Sequence, residues 1–449
     1  MQPRELLTAA FHAAVLAVRA ETVLPAHLPT PAHGRNIVVA AGKAAADMAA
    51  CVEAHWPKDA ELGGLAITRH GHGAPTHRIE VVEAGHPLPD AAGLAAAERL
   101  LALINGAGPD DQVIALISGG GSSLLSLPAE GLCSAGILAG QAGGTPALPV
   151  DSTATLADLR GVAAALLVSG APIADINCVR KHLSRTLGGR LAQACNAPVT
   201  ALLLSDVAGD DPAVIASGPF SPDPTTYADA DAILLRWRVA VPDSVRLHLA
   251  RGMAGAIEET PKPGDPCFSR VSTRVIGNGH TMLEGAAAYL TQAGMRPVIL
   301  GDTFTGEARE VAQVFAALAR EIQIHNSPWQ APVVLLSGGE TSVTVRGGGK
   351  SNGRGGRNAE FLLALALALD GLPGVHALAA DSDGIDGTED NAGALLGPDT
   401  LIRARGLGLD SQAHLADNDA YGFFAALGDL LVTGPTRTNA NDFRAILIT

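Results

Sequence analysis

Gln112-Val113-Ile114-Ala115-Leu116-Ile117-Ser118-Gly119-Gly120-Gly121-Ser122-Ser123-Leu124-Leu125 begins as a short apolar run and breaks into three glycines set between hydroxyl residues. Six residues, four of them Val, Ile or Leu, are too few for a free-standing helix and suit a buried strand; the glycines then permit a sharp turn. A second unit of this kind lies upstream, where Ile37 to Ala41 leads through Gly42 and Lys43 into an Ala-rich helix. Leu65 to Thr68, Ile79 to Val82 and Thr200 to Leu204 read as further buried strands, with helices over Leu6 to Arg19 and Asp90 to Leu103. Strands alternating with helices predict an α/β fold with a parallel sheet covered on both faces.

Ser221 to Thr226 and Glu259 to Asp265 are Pro/Gly-rich segments, and a new series begins after them. It predicts strands at Ser272 to Ile276, Pro297 to Leu300, Val333 to Leu336, Thr341 to Val345 and His376 to Ala379. Helices are expected at Thr281 to Ala293, Glu307 to Ile324 and Asn358 to Leu369. The division expected is a first domain over residues 1 to 240 and a smaller α/β domain over residues 265 to 449, with the last strand allowed to return to the first. Leu335-Leu336-Ser337-Gly338-Gly339 repeats the strand-then-Ser-Gly-Gly pattern, but three shared residues do not make a duplication. Cys133 to Thr153 has little periodicity and reads as a long surface loop.

The chain has 449 residues, 31 Lys+Arg against 45 Asp+Glu, and a net charge of −14, so nucleic acid is not the expected partner. Hydrophobic residues at 47% and charged ones at 17% supply large cores, and aromatics at 3% argue against a base-stacking surface. The longest strongly apolar run, Phe361 to Leu369, is too short to span a membrane, and Met1 leads into Arg4 and Glu5. A cytoplasmic protein without membrane partners is expected. The five cysteines form no CxxC or zinc spacing and read as reduced thiols.

Four features carry candidate chemistry. Ser118, Gly119, Gly120, Gly121, Ser122 and Ser123 follow a buried strand, where backbone N–H groups and hydroxyls can cradle a phosphate or carboxylate. Lys43, a lone cation at another strand end, sits where acids are preferred, which hints at an anionic ligand. Arg346 to Arg357 is glycine-rich and basic; it contains Gly349-Lys350-Ser351, but a P-loop would put its first glycine on Thr344, and no helix follows. Arg357 itself lies against a helix start, beside Asn358. Finally, Ser205 to Asp211 and Asp381 to Asp390 are acidic loops at strand ends, suited to Mg²⁺ beside phosphates or to a base for a hydroxyl. His70, His72, His77 and His86 show no ligand spacing. Arg180, Lys181 and Ser184 fall at helical spacing, as a solvated basic face or a second anion clamp.

Together these segments resemble the class II glycerate kinases, glycerate 2-kinases with a MOFRL-type C-terminal domain. The resemblance rests on Lys43 in its Ala-Gly-Lys turn, Gly71-His72-Gly73, Glu83 to Pro87, the Ser118 to Ser123 loop and Asn177 to Ser184. It continues through Leu204 to Val207, Ser217-Gly218-Pro219, Ser337 to Thr341 with Glu340, Gly355 to Asn358 and Asp383 to Gly387. It implies a Rossmann-like first domain, an active site in a cleft, and ATP-dependent phosphorylation of D-glycerate to 2-phosphoglycerate. It also implies that Lys43 and Arg357 are the catalytic cations. An aspartate from Asp383, Asp386 or Asp206 would bind Mg²⁺ or orient the 2-hydroxyl, with Asp383 assigned to catalysis and Asp206 and Asp386 to the metal. Glu340 and Asn358 join the cradle residues as binding candidates. Glycerate and ATP are the expected partners, and a homo-oligomer is compatible. Two departures stand out: Cys133 to Thr153 is an insertion, and Arg437 replaces a glycine of the family pattern. The rival readings are an NAD-linked hydroxypyruvate reductase, weakened by the lack of GxGxxG after any strand, and a non-catalytic small-anion sensor.

Overall fold

The computed structural model describes residues 1–129, 156–345 and 353–449. Cys133 to Thr153 and most of the basic glycine-rich loop, with Lys350, lie outside the described residues. The chain forms two compact units. The first comprises His27–Leu203 and Asp211–Arg274; the second comprises Met1–Ala26, Leu204–Asp210 and Val275–Thr449. The expected boundary at residue 240 therefore moves to Arg274, and the first 26 residues fold with the second unit.

Strands β1 (Asn36–Ala41), β2 (Gly63–Arg69), β3 (Ile79–Ala84), β4 (Gln112–Ile117), β5 (Val199–Leu204) and β6 (Val271–Gly277) form one sheet in the order β3-β2-β1-β4-β5-β6. The ladders joining β1 to β5 are parallel. Every residue of β1 and β4 is buried, as the unbroken apolar runs require of strands covered on both faces. The order reverses between β1 and β4, which run level: Ala41 pairs with Ile117 in the ladder. The turns that follow these two strands, Gly42-Lys43 and Ser118 to Gly121, consequently emerge side by side at the switch point where open α/β sheets bind ligands.

The second sheet runs β11 (Leu430–Leu431), β10 (Gly393–Leu396), β9 (Val375–Asp381), β12 (Asp442–Ile448), β8 (Val333–Ser342), β7 (Pro297–Glu307). β12 is antiparallel to both β8 and β9 and lies in the interior of this sheet, so the last strand does not return to the first unit. Alternation along β8 and β9 divides the core. Val333, Leu335, Ala377 and Ala379 pack with helices Ala308–His325 and Arg357–Leu369, while Val334, Leu336, Leu378 and Ala380 pack on the opposite face. That opposite face is covered by helix Gly279–Gln292 and by the first helix, Pro3–Ala17, which buries Leu6, Leu7, Ala10, Phe11, Ala14 and Val15 along one stripe. This is why the N-terminus belongs to the second unit.

One strand expectation is corrected. Val333 to Leu336 and Thr341 to Val345 are not two strands: β8 runs unbroken through Ser337-Gly338-Gly339-Glu340, because β12 supplies its ladder, Arg444 opposite Ser337 and Asp442 opposite Gly339. Among the described residues no helix is long and apolar enough to cross a membrane.

Candidate functional site

In the first unit the Gly42-Lys43 turn and the Ser118 turn are bonded to each other. Lys43 N–H donates to Gly119 O at 2.8 Å, Ala44 N–H to Ser118 Oγ at 3.1 Å and Ser118 N–H to Ala41 O at 3.0 Å. Gly120 has a φ of 83°, a left-handed conformation natural to glycine. A β-carbon there would stand 2.9 Å from the His86 ring and 3.3 Å from Lys43 Cγ. Lys43 and His86 thus flank the glycine turn, and His86, read from sequence as an ordinary loop histidine, belongs to the site.

The serines are organised by neighbours distant in sequence. Ser217 Oγ donates to Asn177 Oδ1 at 3.0 Å, which leaves Ser122 Oγ to donate to Ser217 at 2.8 Å. Ser123 Oγ makes only a 3.2 Å bond to Gly120 O. Glu83, part of the same run as His86, accepts the N–H groups of Gly71 and Gly73 at 3.0 and 2.9 Å and fixes the Gly71-His72-Gly73 turn.

Helix Ile173–His182 does not carry a solvated basic face. Lys181 is buried, 3.4 Å from the fully buried Asp223. His182 donates from Nδ1 to Cys178 O at 2.8 Å and from Nε2 to Glu259 at 3.0 Å, so both ring nitrogens are protonated. Burial opposes that charge, but the bonds to Cys178 and Glu259 and the field of Asp223 prevail and lift the imidazolium pKa to about 9.

The second unit assembles a different cluster around Arg357, the first residue of helix Arg357–Leu369. Its guanidinium donates from Nε to Asp442 at 2.7 Å, from Nη1 to Glu340 at 2.8 Å, and from Nη2 to Asp381 and Asn441, each at 3.0 Å. Burial opposes the charge, but Asp442, Asp381 and Glu340 hold the guanidinium pKa well above its ordinary value. Asp442, fully buried, also accepts from Asn358 Nδ2 at 2.8 Å and from the buried Arg444 at 2.7 Å. The ladder explains the convergence: Asp442 of β12 is level with Gly339 of β8 and Asp381 of β9.

Three of the sequence-predicted aspartates gather here in distinct settings. Asp386 is fully buried beneath the helix start, accepting from Asn358 N at 3.0 Å and Ala359 N at 2.8 Å. Burial outweighs those bonds and raises its pKa to about 6. Gly356 makes the fit, since a β-carbon there would lie 2.2 Å from Asp386 Oδ1. Both carboxylate oxygens of Asp386 are thereby given to the helix. Asp383 is buried, its own N–H bonded to Asp381 and its Oδ1 accepting from Ile385 N at 2.9 Å. Asp206 is half-buried; Asn439 donates to its carboxylate at 2.6 Å and Asn441 to its carbonyl at 2.9 Å, so Asn441 bridges the Asp206 loop to Arg357. Sequence reading included Asp381 only as the start of an acidic loop and did not select Asp442, Asn441 or Arg444. The signal for Asn441 was faint: an Asn in Thr438-Asn439-Ala440-Asn441-Asp442, held at φ 72°.

No group of three or more His, Cys, Asp or Glu residues converges as a metal cage among the described residues. The oxygen donors Asp206, Asp381 and Asp383 are nonetheless the hard ligands Mg²⁺ takes, and Mg²⁺ beside a substrate phosphate needs only one or two protein carboxylates. The buried Oδ1 of Asn358 has no hydrogen-bond partner among the described residues, a further oxygen in the same cluster.

A domain of unknown function, DUF4147, matches residues 6–141 and 136–250, and the MOFRL family matches residues 333–442. A Pyrococcus horikoshii protein named glycerate 2-kinase is 38% identical over 93% of this chain and 88% of its own length. The chain belongs to the class II glycerate kinase family. The crystal structure of a glycerate kinase from Thermotoga maritima, 35% identical, superposes with a TM-score of 0.82 over 99% of both chains. An Agrobacterium vitis protein is 48% identical over 99% of this chain and 94% of its own length; its name offers hydroxypyruvate reductase only provisionally. Class II glycerate kinases are phosphotransferases, and the departure from their pattern at Arg437 has a structural correlate. This exposed arginine has a φ of 63°, a left-handed conformation that glycine adopts without strain.

Proposed function

We propose that the protein catalyses ATP-dependent phosphorylation of D-glycerate at its 2-hydroxyl. The observation that supports this most is the switch point of the first sheet. There the Lys43 turn and the Ser-Gly-Gly-Gly-Ser-Ser turn are bonded side by side, in a chain belonging to the class II glycerate kinases. A cation and glycine-freed backbone at the C-terminal ends of parallel strands suit a small anion.

Phosphoryl transfer requires chiefly positioning and neutralisation of the charge on the transferred group. Lys43 and Arg357 are the cations assigned to that charge. Arg357 is well suited to a fixed role, because Asp442, Asp381 and Glu340 hold its fork in one orientation. Asp383 is assigned to the substrate 2-hydroxyl, as proton acceptor or orienting group. Asp206 would hold Mg²⁺, which supplies neutralisation of phosphate charge when bound; Asp386 is better explained as the cap of the Arg357 helix. Glycerate's carboxylate is the fixed charge by which it can be oriented, and clamping it puts the 2- and 3-hydroxyls at different positions.

The reductase reading has one observation in its favour, the β3-β2-β1-β4-β5-β6 order shared with dinucleotide-binding folds. Against it, the turn after β1 reads Ala41-Gly42-Lys43-Ala44 rather than GxGxxG. One assay separates the two. D-glycerate with ATP and Mg²⁺ should release ADP, and hydroxypyruvate with NADH should leave the nicotinamide absorbance unchanged; the opposite pair of results refutes the kinase reading.

A further inference from the structure

A pocket in the first unit lies next to the glycine turn. Its apolar side is formed by Leu159, Val162, Leu166, Val179, Leu183 and Leu187; Ser123, Ser126, Ser184 and the guanidinium-bearing Arg180 supply its polar side. Arg180 is half-buried, and among the described residues its guanidinium makes no hydrogen bond and no ion pair. Desolvation lowers its pKa, and no compensating partner stands among the described residues. An arginine withdrawn from water and left uncompensated destabilises a fold, so its presence in a lined pocket asks for an anion.

The helix that carries it is docked on the cradle. Asn177 accepts from Ser217, which in turn accepts from Ser122. Arg180 follows Asn177 by one helical turn on the same helix, and Ser184, just past the helix end, joins it in lining the pocket. Ser123 and Ser126 reach the pocket from the cradle side. The hydroxyls of Ser123, Ser126 and Ser184 already donate to Gly120 O, Ser122 O and Thr186 Oγ1, so the fork of Arg180, with its N–H donors over an otherwise apolar wall, makes the site for a single negative charge on a small carbon body. A triphosphate would need several cations, and this pocket has one.

We propose that Arg180 binds the carboxylate of the hydroxy acid substrate, with Ser123, Ser126 and Ser184 completing the pocket beside the glycine turn. The inference rests on the kinase reading for the identity of the acid but not for the presence of the site. It makes Arg180 a specificity-determining residue: a carboxylate gives the fork two parallel bonds, and an alcohol or aldehyde analogue gives none.

The test uses the full chain with Arg180→Met and Arg180→Lys. For wild type, D-glycerate binding is measured by calorimetry without nucleotide, and KM is measured separately for D-glycerate and ATP. Arg180→Met should raise Kd and KM for D-glycerate at least ~10-fold, the value of a charge-assisted pair, while KM for ATP stays within ~2-fold. It should also erase the preference for D-glycerate over glycerol. Arg180→Lys should recover part of the affinity but less than all of it, having charge without the fork. The thermal midpoint of Arg180→Met should equal or exceed that of wild type, an outcome a merely structural arginine would not give. Unchanged glycerate KM in Arg180→Met, or a rise confined to ATP, would overturn the assignment while leaving the kinase reading intact. Glycerate binding that is lost in Arg180→Met, in a wild type that releases no ADP, would do the reverse. A wild type that neither binds nor turns over glycerate overturns both.

Discussion

Arg357 and Arg180 are both drawn out of water, yet their surroundings differ in kind. Around Arg357 the guanidinium donates to three carboxylates and an amide oxygen, one of those carboxylates fully buried. Around Arg180 there are serine hydroxyls and leucines, and no acid within ion-pair distance among the described residues. A compensated cation is part of the fold as well as of the chemistry, whereas an uncompensated one weakens the fold and is free to serve a ligand. Lys43 is half-buried over a turn made of backbone.

The largest effect should come from Arg357→Ala. It leaves Asp442 and Asp381 facing each other without their shared cation, so about 3 kcal/mol or more of stability should go, together with ~10²-fold or more in kcat. Denaturant unfolding and steady-state rates measure both, and an Arg357→Ala protein as stable as wild type would break the contrast. Arg357→Lys should restore little, since an ammonium cannot satisfy three carboxylates in fork geometry.

Lys43→Ala should cost a similar factor in kcat with a stability change of less than about 1 kcal/mol. A normal kcat in this variant removes Lys43 from the transition state.

Asp386→Ala should lose about 0.5–2 kcal/mol, the value of a helix cap. Asp386→Asn sharpens the point through pH. The carboxyl pKa is raised to about 6 from 3.8, so the folded state favours the protonated form. Its contribution is present in full below about pH 4 and declines as pH rises through 6. Unfolding free energy of wild type relative to Asp386→Asn should therefore fall across that window, and parallel curves would contradict the assignment.

The remaining effect concerns the His182 network. With a folded pKa of about 9 against 6.5, its stabilising contribution is complete below pH 6.5 and lost as pH rises through 9. Glu259, lowered to about 2 chiefly by His182 and backbone N–H groups against the opposing effect of burial, contributes above pH 4.5 and loses that contribution as pH falls toward 2. Melting temperature followed from pH 6 to 10 in wild type and His182→Gln should converge at the alkaline end.

The cradle was legible in the sequence because it is contiguous: one strand, three glycines and three serines around them fix it. The partners of Arg357 were not, because they come from β8, β9 and β12 and meet only through a ladder that pairs residue 442 with residues 339 and 381. The same ladder carried β8 through Gly338-Gly339, where local propensity ends a strand. Helical spacing leaves Lys181 open to a solvated basic face or an anion clamp, because it reports which residues share a side and not which side is buried; Asp223, on another segment, decides that. Asp386 showed its charge in sequence but not its position beneath a helix start.

The most direct measurement is of the product. The protein is incubated with D-glycerate, ATP and Mg²⁺, and enolase is added with and without phosphoglycerate mutase while phosphoenolpyruvate absorbance is recorded. Phosphorylation at the 2-hydroxyl gives signal with enolase alone; a signal that appears only when the mutase is present would mean transfer to the 3-hydroxyl and would contradict the assignment.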